Sequence, residues 1–153
     1  MSFTSELDKW CKVTKPNHLM DTVRKAIMEI GTRVVYRSPV GNPSLWQEGF
    51  RETATGLGWV GAGYTGGRFR ANWQYGFGVA PDGDIDEIDK SGAETIGKIT
   101  NSVLVTDVIG INYLVNNLPY SERLENGYSK QAPQGMVGLV ELEFPEIMQK
   151  AQL

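Results

Sequence analysis

One histidine, one cysteine and eighteen carboxylates are the main acid, base and nucleophile stock of this 153-residue chain. A Ser–His or Cys–His couple would have to use His18, yet nothing around it has the form of a nucleophile elbow or an oxyanion loop. His18 is therefore expected to be a surface residue at the start of a helix. Cys11 falls on the apolar side of a short amphipathic stretch, where a lone thiol is more often a small core residue than a reactive one. Being single, it makes no intrachain disulfide and no cysteine-rich metal site, and it fits a reducing compartment. Asp82, Asp84 and Asp86 alternate as calcium-loop ligands do. An EF-hand also needs Gly at its sixth position and Glu at its twelfth, and counting from Asp82 those are Glu87 and Ala93. A solvated acidic loop is expected, with weak divalent binding left open. Carboxylate pairs for hydrolysis can form between residues far apart in sequence, but no spacing here selects a pair. Gly61-Ala-Gly63-Tyr-Thr-Gly66 spells the dinucleotide pattern. That pattern works only when a strand precedes it and a helix N-terminus follows to meet the pyrophosphate, and here the residues after it read as a strand. No cofactor is expected.

The net charge of −3 offers no attraction to phosphate backbones or anionic lipid. Arg68 and Arg70 interleave with aromatics as in single-strand nucleic-acid sites, but two arginines are too few in a net-negative chain. Met1 to Lys15 mixes charges with isolated apolar residues, unlike a signal peptide, and no apolar run approaches a membrane span. With 41% apolar and 22% charged residues, the chain reads as one globular domain over 1–153, soluble and retained where it is made.

The elements that position these residues follow from periodicity. Phe3, Leu7, Trp10 and Cys11 suggest a short helix. Leu19, Val23, Ile27, Ile30 and Val34 form one stripe and predict a helix over 17–36, ended by Ser38-Pro39. Residues 39–67 hold two prolines and eight glycines and read as a long loop or arm. Its aromatics Trp46, Phe50, Trp59 and Tyr64 either tuck back over the core or form an interface. Residues 69–77 alternate Phe69, Ala71, Trp73, Tyr75 and Phe77 with polar or small residues, which predicts a half-buried antiparallel strand. After the acidic loop, Ser91 is expected to cap a helix lined by Ala93, Ile96, Thr100 and Val103. Val108–Val115 reads as a second strand, Tyr120–Asn126 as a turn of helix stopped by Gly127, and Val137, Val140, Phe144 and Ile147 as a last helix that Pro145 kinks or breaks. The fold class is α+β: an antiparallel sheet packed with a long N-terminal helix and further helices.

Two stretches carry a resemblance. The first runs from Ser38-Pro39-Val40-Gly41-Asn42-Pro43 to Gly66-Gly67-Arg68-Phe69-Arg70-Ala71-Asn72-Trp73, split by an insertion of roughly two dozen residues. The second is contiguous, from Asn116-Asn117-Leu118-Pro119-Tyr120 through Glu125-Asn126-Gly127-Tyr128-Ser129-Lys130-Gln131-Ala132-Pro133 to Val137. Together they resemble the neck and tail-completion proteins of tailed bacteriophages, the family of the lambda minor tail protein Z type and related head–tail joining proteins. The resemblance implies a non-enzymatic virion subunit, made in the host cytoplasm and placed at the head–tail junction. It further implies assembly into a homo-oligomeric ring, usually a hexamer, in contact with other neck and tail proteins, with DNA only in transit and no membrane. The assembly motif falls on Arg70, Asn72, Trp73, Asn117, Pro119, Tyr120, Glu125, Gly127, Ser129, Gln131, Ala132 and Pro133, and the arm around Trp46, Phe50, Trp59 and Tyr64 would meet a neighbour. The residues themselves read as a structural corner. A tail terminator that caps the tube and fixes its length is the neighbouring alternative, and a small metal-assisted hydrolase built on the acidic loop is the alternative of another class.

Overall fold

A computed structural model describes residues 16–42, 56–57 and 64–153. The predicted helix at Phe3–Cys11 and the arm residues Trp46, Phe50 and Trp59 lie outside them. Helix α1 spans Pro16–Arg37, α2 is the single turn Arg68–Ala71, and strand β1 runs Trp73–Phe77. Helix α3 covers Ala93–Val105, β2 Asn112–Asn116, the short α4 Ser121–Glu125 and α5 Val137–Ala151. The class is α+β. The sheet is an antiparallel pair in which Trp73 faces Asn116 and Phe77 faces Asn112. None of the described helices is long and apolar enough to cross a membrane.

Helix α1 is the central element, with α3 packed on one side and α5 on another. Its apolar surface is therefore wider than one stripe: Ala26, Val34 and Val35 are buried while Leu19 at the start stays half in water. Trp73 and Tyr75 turn the inner face of the strand pair onto this core, with Phe69, Val103, Val108, Leu118, Met136 and Ile147.

Four elements differ from their sequence expectation. Phe69, Arg70 and Ala71 belong to a helical turn, because the Gly67 carbonyl accepts the amides of both Ala71 and Asp89. The strand starts only at Trp73. The cap of α3 is Asp89: its Oδ1 accepts from the Gly92 amide and the Ser91 hydroxyl, and its Oδ2 from the Thr95 amide and hydroxyl, all within 3.1 Å. Ser91 takes only the Ala93 amide, at 3.2 Å. The buried face of α3 is Thr95, Ile99 and Val103, with Ala93 exposed. Strand β2 begins at Asn112 because that residue's own amide group binds the carbonyls of Val108 and Gly110 and curls the preceding residues. Finally, α5 runs unbroken through Pro145. Val140, Ile147 and Ala151 bury one face on both sides of the proline, while Val137 and Phe144 are exposed.

An ion-pair zipper fastens α5 to α1. Glu143 accepts from Arg33 and from Arg37, each at 2.6 Å, and Arg33 also reaches Glu29 at 2.8 Å and Glu146 at 3.1 Å. The hydrogen bonds from Arg37 and Arg33 pull the Glu143 carboxyl down to about 2.

Candidate functional site

The two stretches that carry the family resemblance meet in one junction at the end of α1. Its centre is Ser38. The buried hydroxyl donates to the Val34 carbonyl at 2.6 Å and accepts the indole N–H of Trp73 at 2.7 Å. Beside it, the Arg70 guanidinium donates to the carbonyls of Tyr36, Ser38 and Lys90 at 2.7–2.9 Å. These include carbonyls left without helical partners where α1 ends, so one fixed cation both terminates the helix and ties the approach to α3 onto it.

Asn72 has no solvent exposure at all. Its Nδ2 donates to the carbonyls of Arg68 (2.8 Å) and Ile85 (3.0 Å), and its Oδ1 accepts the Ile85 amide at 2.7 Å. From the other stretch, Asn117 donates to Pro81 and Gly83, both at 3.0 Å, and Gln74 also donates to Gly83. The acidic loop is thus folded back over the outer side of β1 and held by amide side chains. Asp84 pairs with Arg68 and Glu87 with Lys98, leaving Asp82 and Asp86 exposed. Among the described residues no group of three or more His, Cys, Asp or Glu side chains gathers as metal ligands would. His18 is exposed at the start of α1.

The second stretch makes a corner between β2 and α5. Asn116 donates to the Phe69 carbonyl at 2.8 Å, linking this corner to α2, and Ser121 bonds both Asn116 and the Leu118 carbonyl. Pro119 is exposed on the turn. Tyr120 packs its ring on Phe69, centroids 6.0 Å apart, and burial pushes its hydroxyl well above the ordinary tyrosine range. Gly127 ends the turn at φ 82° with its Cα against the Pro133 carbonyl, where a Cβ would overlap. Ser129 accepts the Gln131 amide. Ala132 is buried and Pro133 exposed. Gln131 pairs with Val40 in both directions, donating to its carbonyl at 2.9 Å and accepting its amide at 3.1 Å.

Glu125 closes the corner. Its carboxylate accepts the amides of Met136 and Gly138 at 2.9 Å and of Val137 at 3.0 Å, the otherwise unpaired donors that open α5. Burial alone would raise its pKa, and these three amides more than reverse that and hold it below the ordinary value. Asp89 is lowered by the same contest, burial against the Thr95 and Gly92 amides and two hydroxyls. Of the arm aromatics, only Tyr64 is described. It is half-buried, lies against Gly41, and burial raises its hydroxyl pKa.

The two stretches touch where Tyr120 and Asn116 meet Phe69 and where Gln131 meets Val40, while Arg70, Asn72 and Trp73 bind the end of α1 and the acidic loop, Asn117 binds the acidic loop and Glu125 the start of α5. Their polar contacts are chiefly to backbone atoms of this same chain. What the arrangement accomplishes chemically is to fix the relative placement of α1, the acidic loop, the strand pair and α5. Sequence reasoning missed the capping role of Asp89, the Ser38 hydroxyl's bond with Trp73 and the Arg33–Glu143 zipper. The signal for Asp89 was a carboxylate a few residues before an apolar helical run, obscured by the neighbouring Ser91. No protein-family model, no curated protein and no solved structure matches the chain.

Proposed function

We propose that this chain is a structural subunit of a tailed-bacteriophage neck, one member of a homo-oligomeric ring that completes the tail and makes it competent to join the head. The observation that carries the reading is the mutual hydrogen bonding of the two stretches that resemble that family, with Gln131 on Val40 and Asn116 on Phe69. Their side chains build a rigid corner, and a rigid corner is what a ring subunit needs in order to present loops at fixed angles to its neighbours. The work assigned to the protein is surface complementarity, with no cofactor and no catalytic step, and DNA passes through the assembled channel without being held. An acidic lumen would favour that passage by repelling phosphates.

The test is a lysate of a phage from which this chain has been deleted. Normal-length tails lying beside filled, unjoined heads are expected, with joining restored when the purified chain is added back. Overlong tails would replace this reading with that of a tail terminator. A normal yield of joined particles would refute both.

A further inference from the structure

We propose that the end of the molecule at which β1 and α3 finish and β2 begins is the surface through which the chain packs against a second copy of itself. The proposal rests on the ring reading above and names the contact that such a ring uses. The antiparallel register sets Phe77 opposite Asn112. Beyond it the Gly78 amide still donates to the Ile111 carbonyl at 2.9 Å, and Gly110 lies against the Phe77 ring. Helix α3 ends at Val105 and six residues join it to β2, where the Asn112 side chain binds the Val108 carbonyl, so its last turn is held near the same end.

Six large apolar side chains are left in water there: Phe77, Val79, Leu104, Val105, Ile109 and Ile111, with Val79 78% exposed, Val105 86% and Ile111 64%. From side-chain sizes they present roughly 600 Å² of apolar surface, the upper end for a whole monomer's largest patch and close to the roughly 800 Å² each partner gives to a stable interface. Residues 76–81 carry no charge, and residues 103–111 carry only Asp107, whose carboxylate is turned to the Ile109 amide at 3.1 Å. This composition matches an interface core, where charged residues are depleted.

Charge decides the occupant. Two copies each bearing −3 repel, and contact across the exposed Asp82 and Asp86 would add to that repulsion. This end of the sheet, where Asp107 is the one carboxylate among residues 76–81 and 103–111, lets identical acidic chains approach with less facing charge than the acidic loop would. A copy of this chain is therefore the partner that the surface fits.

The experiment is sedimentation equilibrium of the full chain across about 1 µM to 1 mM, comparing it with Val105→Glu, Ile111→Glu and the double variant. Both side chains are mostly in water, so circular dichroism and melting should show folded variants. The wild-type mass is expected to rise with concentration, and each substitution to raise the dissociation constant about tenfold or more. A wild-type chain that stays monomeric throughout overturns the proposal, as does a monomer whose melting temperature falls on substitution, since the chain would then be covering this end itself. Association that survives the double substitution also overturns it while leaving the ring reading standing. Association abolished by the substitutions, in a chain that is absent from purified virions, would instead sink the neck reading and keep the interface.

Discussion

Removing the Glu125 carboxylate should loosen α5 at its first turn. Three amides converge on this side chain at 2.9–3.0 Å, and Glu125→Ala leaves them with water alone. Deleting a conventional helix cap costs about 0.5–2 kcal/mol, and a hydrogen bond to a charged group contributes about 1.5–3 kcal/mol. Glu125 is only half-buried, so solvent replaces part of what is lost and the expected cost is about 2 kcal/mol. For a chain of this length that is a fall of about 4–8 °C in Tm. Glu125→Gln keeps an acceptor oxygen but loses the charge facing the helix dipole, a deficit of about 0.3–1 kcal/mol. The pH dependence separates the two contributions. Because the folded pKa lies below the ordinary carboxylate value of 4.5, the charge stabilises the fold fully above that value and is lost as pH falls through the folded pKa. Melting curves of the wild type and both variants, recorded from neutral pH down to about pH 3, should therefore show wild type and Glu125→Gln converging at the acid end. A Glu125→Ala cost under about 0.5 kcal/mol, or a wild-type to Gln gap that ignores pH, would refute the reasoning.

Trp73→Phe keeps an aromatic ring in the core but removes the N–H that donates to the buried Ser38 hydroxyl oxygen, and should cost about 1–3 kcal/mol by urea denaturation. Gly127→Ala should cost about 1–2 kcal/mol or more from the left-handed backbone and the overlap with Pro133. Gly97→Ala, in the interior of α3 with open space around it, should gain about 0.5–1 kcal/mol in the same assay. Asn72→Ala should free the acidic loop, so the Ile85 amide is expected to exchange with solvent at least tenfold faster while the α1 amides stay protected; equal protection at Ile85 would dismiss the clamp.

Periodicity revealed α1, the two strands and the helical character of α5, although of the stripe expected on α5 only Val140 and Ile147 are buried and the helix runs on through Pro145. It misplaced the start of β1 because Phe69 and Ala71 are buried in a helical turn, and two buried residues two apart fit that turn as well as a strand. The hydrogen bond accepted by the Gly67 carbonyl from the distant Asp89 amide decides between them, and no local pattern encodes it. The resemblance marks Arg70, Asn72, Glu125 and Gln131. Their partners were illegible, since Gln131 reaches Val40 across ninety-one positions and Arg70 reaches Tyr36 across thirty-four. Side chains that bind backbone atoms leave no trace in the identity of the residue they bind. Trp46, Phe50 and Trp59 lie outside the described residues, so their expected contacts with a neighbour belong to the proposal.

The approach of Gly66 to the Gly41 carbonyl, too close for any side chain at that position, has an evolutionary consequence. Residues 41 and 66 lie side by side, so any segment joining them starts and finishes at one doorway. Lengthening a segment that closes in this way twofold adds only about 0.6 kcal/mol of closure entropy. The framework can therefore exchange one insert for another, long or short, while α1, the strand pair and α5 stay as they are. Recognition of new partners can then diversify at this doorway faster than the body of the protein changes.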